Sequence, residues 1–246
     1  MMNEEDDFLS MFNDSLRNRE GRYQILEHRV PVEVQIEYFI YSNHIRRGTH
    51  EINEDDYKRF TERLESADSS TKEKKKILSM LATSKEIRAF RLLERYAQQA
   101  EKELENWAYM ALMESRIMVE SELTDERRIF ISSGLGGKEG KLRFYVLILA
   151  AHGVSFVDYQ RKIIEKECEY LFHLHDCEIE RLTIKDRYAE LVILTPFISQ
   201  INNLLGKVIG ECNQYGNFLS DTVTVTNVKE LDNEDIKSIL ERYENE

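Results

Sequence analysis

From about residue 4 to residue 125, apolar residues recur every three or four positions, which is the spacing of amphipathic helices. Two helix starts are marked by capping side chains, because Asn53 precedes three acidic residues and Ser70 precedes Thr71 and Glu73. Residues 30–41 also alternate with period two, so helix and strand both fit that stretch. The pattern predicts helices over residues 4–19, 33–47, 54–66, 71–82, 85–99 and 102–123.

The second half of the chain has a strand-type pattern. Residues 141–151, KLRFYVLILAA, are rich in β-branched and aromatic side chains and predict a buried central strand. An amphipathic helix follows, then a strand pair on either side of Asp186, a second helix, a strand at 222–228 and a short terminal helix. The order β-α-β-β-α-β after a helical half predicts an α+β chain.

Glycine usage marks the division between the two halves. Four of the ten glycines fall between Gly134 and Gly140. The change of period there predicts a helical domain over residues 1–125, a glycine-rich basic linker over 126–140 and an α/β domain over 141–246. We expect the two domains to have separate cores.

Two stretches resemble known architectures. Residues 85–115, KEIRAFRLLERYAQQAEKELENWAYMALMES, resemble a HEAT-type helical hairpin, with an ordinary helical bundle as the alternative. The lone Trp107, followed by two small alanines, is expected in the core of that region. The element order over residues 141–228 is similar to the ferredoxin-like fold, here a βαββαβ sandwich. The whole chain resembles an uncharacterised bacterial protein family that combines the two, and that resemblance implies no catalytic residues.

The glycine-rich segment FISSGLGGKEGKLRF is the strongest candidate site. Its backbone amides could form an anion-binding nest, and its cations could neutralise a phosphate. It is not a P-loop, because the Gly-Lys pair is followed by leucine and then a strand. A flexible interdomain hinge is the alternative interpretation. The candidate anion-binding residues are Gly134, Gly136, Gly137, Lys138, Lys141 and Arg143.

Metal and thiol chemistry were weighed at two other places. His173, His175 and Cys177 alternate in an extended segment, but two imidazoles on a continuing helix diverge by about 200° and cannot share a metal. Cys212 has polar neighbours in sequence, yet it falls in register with apolar helix positions and is expected as a core thiol. We therefore assign no metal site, no catalytic residue and no cofactor.

Charge, apolar runs and cysteine usage indicate which classes of partner and which cellular compartment to expect. The chain has 46 acidic and 34 basic side chains and a net charge of -12, which argues against a nucleic-acid coat or an anionic membrane as partner. The acidic N-terminus lacks a secretory signal, and no apolar run has the length of a membrane span. Three cysteines without paired spacing predict reduced thiols. A cytoplasmic location is expected.

These observations favour a non-enzymatic, cytoplasmic protein-interaction or regulatory protein. Its partner would be another protein, and the α/β domain would also offer a route to a homo-oligomer. The first alternative is a phosphate-ligand sensor or enzyme that uses the glycine-rich loop. The second is a ribosome- or RNA-associated factor that uses the same basic stretch with Arg127, Arg128 and Arg143. Nucleic acid is not favoured, since the aromatic pattern of an RNA-recognition sheet is missing.

Overall fold

The computed structural model describes residues 23–48, 52–124, 129–197 and 199–244. It divides into two compact units. The helical unit contains Val30–Phe130 with Gly21–Gln24, and the α/β unit contains Ile131–Glu246 with Ile25–Arg29. Because the chain combines a helical part with a mixed part, the predicted α+β class is confirmed. The predicted helix at 4–19 and the pair Arg127 and Arg128 lie outside the described residues.

Five helices make up the described part of the helical unit. The helices are α1 (Val32–Arg46), α2 (Glu54–Glu65), α3 (Thr71–Thr83), α4 (Ile87–Ala97) and α5 (Glu105–Thr124). Helices α3 and α4 pack against α5, and α1 packs against α3. The ambiguous stretch at 30–41 is helical from Val32 onward, directly after Pro31.

Both marked helix starts are confirmed by their hydrogen bonds. The Asn53 carboxamide oxygen accepts from the amides of Asp55 and Asp56, each at 3.0 Å. The Asp56 carboxylate accepts in return from the Asn53 amide at 3.1 Å, which completes a capping box for α2. The Ser70 hydroxyl oxygen accepts from the Glu73 amide at 3.2 Å and caps α3.

The α/β unit is built on one antiparallel sheet. The strands of the chain are β1 (Tyr23–Ile25), β2 (Ile129–Ile131), β3 (Gly137–Lys138), β4 (Lys141–Ala150), β5 (Glu178–Ile184), β6 (Tyr188–Pro196) and β7 (Leu219–Thr226). Strand β4 lies at the centre of the sheet, pairing with β6 on one side and with β3 and β7 on the other, and β5 pairs with β6 at an edge. A separate two-stranded sheet pairs β1 with β2. The helices are α6 (Asp158–Leu174), α7 (Ile201–Asn213) and α8 (Asn233–Glu244).

Both faces of this sheet are covered. Val146 and Ile148 of β4 face a core that includes Leu171 of α6 and Leu205 of α7. The alternate side chain Tyr145 belongs to a second core, which α8 covers from the other face. A strand with both faces buried has a continuous apolar run, so the prediction of a buried central strand is confirmed.

Within the described ranges, no helix is both long enough and apolar enough to cross a membrane.

The core of the helical unit is centred on Trp107, as predicted. Its side chain is only 1% exposed, and its ring lies edge-on to Tyr38 and Tyr41 at centroid distances of 5.1 and 5.6 Å. The indole N–H donates to the Lys75 carbonyl oxygen and the Ser79 hydroxyl oxygen, both at 3.2 Å. The ring is therefore fixed by packing and by two acceptors.

Trp107→Ala is expected to lower the free energy of unfolding of the helical unit by about 3–5 kcal/mol, because it leaves a large cavity in a fully packed site. Urea unfolding followed by far-UV circular dichroism measures the change. Tyr215→Ala, at an exposed position, is the control and should change stability by less than about 0.5 kcal/mol. A cost below about 1 kcal/mol for the tryptophan variant would contradict a core role.

Candidate functional site

The glycine-rich segment is packed into the α/β unit rather than extended as a linker. A Cβ at Gly134 would lie 1.8 Å from the Val228 carbonyl oxygen, and one at Gly136 would lie 2.4 Å from the Glu27 carbonyl oxygen. Gly136 also has a φ of +66°, which favours glycine. The sequence predicted a linker over 126–140, but this close backbone approach makes residues 134–137 part of the fold.

The amides that would form an anion nest already have acceptors. The Leu135 amide donates to the Asn227 carbonyl oxygen at 3.0 Å, and the Gly137 amide donates to the Glu27 carbonyl oxygen at 3.3 Å. The Gly136 amide donates to the Ser133 carbonyl oxygen at 3.2 Å. The Glu139 amide donates to the Glu27 carboxylate at 3.3 Å, so an acid of the chain itself stands beside the loop. These bonds favour a structural turn over an anion site.

The candidate cations of this segment are paired with acids. Lys141 Nζ donates to the backbone and side-chain oxygens of Asp176 at 2.7 and 2.9 Å. Arg143 is buried, donates to both Glu180 oxygens at 2.5 and 2.8 Å, and holds the pKa of that carboxyl below its usual value. Lys138 lies 3.7 Å from Glu178. Anion binding by these residues stays a prediction, and the ligand would have to compete with the carboxylate and carbonyl partners that these cations already have.

The histidine and cysteine candidates do not converge. Helix α6 ends at Leu174 with His175 as its cap residue, and the Cys177 thiol donates to the His175 carbonyl oxygen at 3.5 Å. Burial raises the pKa of Cys177 to about 11. Cys212 lies fully buried in the core of the α/β unit, and burial raises its pKa to about 12. No group of three metal-ligating side chains lies together among the described residues.

A groove of about 1020 Å³ runs between α6 and β5. Its lining mixes apolar side chains such as Leu182 with both signs of charge, including Arg161 and Glu165. The neighbouring edge strand is protected against strand addition, because a bulge at Glu180 interrupts its register and Arg161 donates to the Ile184 carbonyl oxygen at 3.1 Å. The groove therefore has volume and a mixed lining, but its edge strand is closed to strand addition.

Helix α1 has an unusual orientation that the sequence did not reveal. Its polar residues Gln35 and Ser42 are buried in the helical unit. Its apolar residues Ile36, Phe39 and Ile40 lie on the outer side, with 55%, 37% and 67% of their surfaces exposed. Large apolar side chains at spacings of three and four on one helix face form a surface of the kind that binds another helix.

A buried carboxylate accounts for this orientation. Glu114 of α5 accepts from the Tyr38 hydroxyl and the Ser42 hydroxyl, each at 2.6 Å, and from the Arg46 guanidinium. All three donors lie on α1. Burial, and then the charge of Glu114, raise the pKa of Tyr38 well above its usual value, so the phenol remains a donor. Turning α1 the other way would leave the carboxylate without these donors.

A basic hollow of about 650 Å³ lies at the C-terminal end of α1. Its described lining contains no acidic side chain, and it includes Tyr41, His44, Arg47, Lys72 and Lys76. Within the described part of the chain, Arg47, Lys72 and Lys76 form no ion pair. This cluster of cations stands out in a protein with a net charge of -12.

Comparisons with known proteins assign no family to this chain. No protein-family model matches it, and no curated protein matches it. Among solved structures, the chain is similar to the crystal structure of a putative transposase from Deinococcus radiodurans R1, at 13% identity. The likeness covers 43% of this chain and 90% of the other, with a TM-score of 0.35. An overlap of this quality fixes neither a fold nor a function.

Gly134→Ala is expected to destabilise the α/β unit by about 1–3 kcal/mol, because the added methyl meets the Val228 backbone. Gly206→Ala is the matched control: it lies in α7 with open space around the added Cβ, and should stabilise by about 0.5–1 kcal/mol. The exchange rates of the β4 backbone amides measure the stability change in each variant. If these amides are equally protected in the Gly134→Ala and Gly206→Ala variants, the glycine-rich segment is a hinge.

Glu114→Ala is expected to lower the stability of the helical unit by about 3–5 kcal/mol, because it leaves two buried hydroxyls and a guanidinium without their acceptor. The fluorescence of Trp107, the only tryptophan, reports the unfolding of this unit alone. Glu94→Ala, at an exposed position of α4, is the control. Adding Tyr38→Phe and Ser42→Ala to Glu114→Ala should recover part of the loss, and no recovery would show that the hydroxyls do not depend on Glu114.

Proposed function

We propose that the chain is a non-enzymatic, cytoplasmic protein-interaction or regulatory protein whose docking surface is the outer face of α1. We call this surface the α1 stripe and define it as Ile36, Phe39 and Ile40. The observation that carries the proposal is that these three large apolar residues are exposed on one side of α1, while the buried side holds the polar residues Gln35 and Ser42 beside Tyr38 and Ile45. The occupant we propose is a helix of a protein partner.

The stability of the helical unit accounts for the buried face of α1, where Tyr38 and Ile45 lie beside Gln35 and Ser42, but it does not account for apolar residues on the exposed face. Burying an isoleucine or phenylalanine side chain is worth about 1.5–3 kcal/mol relative to exposing it, and burying Gln35 or Ser42 requires hydrogen-bond partners. Glu114 meets that requirement for Ser42 at 2.6 Å, and the Gln35 carboxamide donates to the Val30 carbonyl oxygen at 2.7 Å. Large apolar side chains that stay exposed beside a satisfied buried face are best explained by a protein contact.

The finer fold assignment belongs to the same proposal. We propose that the α/β unit has the ferredoxin-like fold, a suggestion supported by the antiparallel order β7-β4-β6-β5 and by two helices packed on one face. In the helical unit, the consecutive helices α4 and α5 pack together, which supports a HEAT-like hairpin.

The coverage of the sheet bears on the other proposed partners. RNA-binding sheets stack bases on an open face. Here the face of the sheet opposite α6 and α7 is covered by Leu135 of the glycine-rich segment and by Ile236 of α8. A homo-oligomer through the α/β unit would likewise have to use its edges or helices rather than a sheet face. Because both faces of the sheet are covered, we place the proposed docking surface on the helical unit instead.

Ile36→Ser with Ile40→Ser is expected to remove protein partners that wild-type chain retains from native cytoplasm, because it deletes the apolar centre of the stripe. The matched control is Tyr170→Ser with Leu174→Ser, which changes two side chains of similar exposure on α6. Quantitative mass spectrometry compares what each variant retains, and circular dichroism checks that both fold. If the two double variants retain the same proteins, the α1 stripe is not the docking surface.

A further inference from the structure

We propose that the occupant of the α1 stripe is a second copy of this chain, bound through an antiparallel α1–α1 pair about a twofold axis at Ile40. This inference rests on the proposed docking role of the stripe and adds the identity, direction and register of the partner helix. It is carried by the order of charged and apolar residues along the exposed face of α1.

The relevant residues share one face of the helix. At 100° per residue, Glu33, Ile36, Ile40 and Arg47 fall within an arc of about 60°, and Phe39 lies about 60° beyond it on the side of Ile36. Arg47 follows the last helical residue but keeps helical backbone angles, with φ of -73° and ψ of -18°. The exposed face therefore begins with an acid, continues through apolar residues and ends with a base.

The spacing of these residues is symmetric about Ile40. Glu33 precedes Ile40 by seven positions and Arg47 follows it by seven, which corresponds to about 10.5 Å along the axis in each direction. When two such helices pack antiparallel with Ile40 opposite its copy, Glu33 of each chain lies opposite Arg47 of the other. One contact thus occurs twice, as an isologous interface requires.

Both charges are available for this contact. Glu33 and Arg47 are exposed, and neither forms an ion pair with any other described residue. Two other cations near this face already have partners, since Arg46 pairs with Glu114 and Lys75 pairs with Glu37 at 2.9 Å. The unpaired charges lie at the two ends of the apolar stripe, where a helix pair needs them.

The basic hollow strengthens the complementarity at one end. It surrounds Arg47 with His44, Lys72 and Lys76 and contains no described acid. In the antiparallel pair this hollow receives Glu33 from the first turn of the other α1, where the chain supplies an unpaired acid. A parallel pair would instead bring the two hollows together, and like charges would oppose it.

The surface area buried by the α1–α1 pair limits the affinity of the dimer. A single pair of 15-residue helices buries less surface than a standard protein interface, so the dimer should be weak and depend on concentration. The two charge pairs lie at the rim, so they act mainly on direction and register rather than on total affinity.

The test is a charge reversal with mixing, measured by sedimentation velocity of the full chain over a range of concentrations. Glu33→Arg alone places two cations together twice, and Arg47→Glu alone places two acids together twice. Each single variant should dimerise about tenfold more weakly than wild type. An equimolar mixture of the two variants should recover the wild-type level, because every pair in the mixed dimer is again of opposite charge.

Two further variants separate a true twofold pair from a general charge effect. Ile40→Glu places two carboxylates at the axis and should abolish dimerisation, whereas Tyr170→Glu on α6 should leave it unchanged. A wild-type chain that stays monomeric at all concentrations overturns this inference. The inference is also overturned if the mixture of Glu33→Arg and Arg47→Glu dimerises no more strongly than either variant alone. If the chain is monomeric yet the stripe variants lose partners from cytoplasm, the proposed function stands and the partner is a different protein.

Discussion

A carboxylate removed from water requires donors, and Glu114 obtains three of them from a single helix. Tyr38, Ser42 and Arg46 lie on one side of α1, so satisfying the carboxylate determines how α1 rotates about its axis. Once that side faces inward, Ile36 and Ile40 face outward. The direction in which these apolar side chains face is therefore a consequence of one buried polar network.

The α/β unit depends on a different kind of constraint, the approach of backbone to backbone. Gly134 lies so close to the Val228 carbonyl that a side chain has no room, and the segment around it places Leu135 under the sheet. Leu135 and the terminal helix α8 cover the face that α6 and α7 leave open. The basic residues of this segment are used to hold it in place, as the pairing of Arg143 with Glu180 illustrates.

Together these constraints separate the roles of the two units. In the α/β unit, the glycine-rich segment, its cations Lys141 and Arg143, and both sheet faces have contacts within the unit. The helical unit keeps an apolar stripe and unpaired charges at the surface, with Glu33 at one end and Arg47 at the other. Because apolar surface and unpaired charges remain exposed there, this is the unit for which we propose association with another helix.

The sequence by itself determined the local elements and the fold class. The starts of α2 and α3, the central strand β4 and the buried Trp107 follow from capping residues, apolar runs and side-chain size, which act over short distances. Only the tertiary structure decided which face of α1 is outside and what the glycine-rich segment does. Both depend on partners far away in sequence, Glu114 for Ser42 and Val228 for Gly134, and neither pairing leaves a periodic signal in the chain.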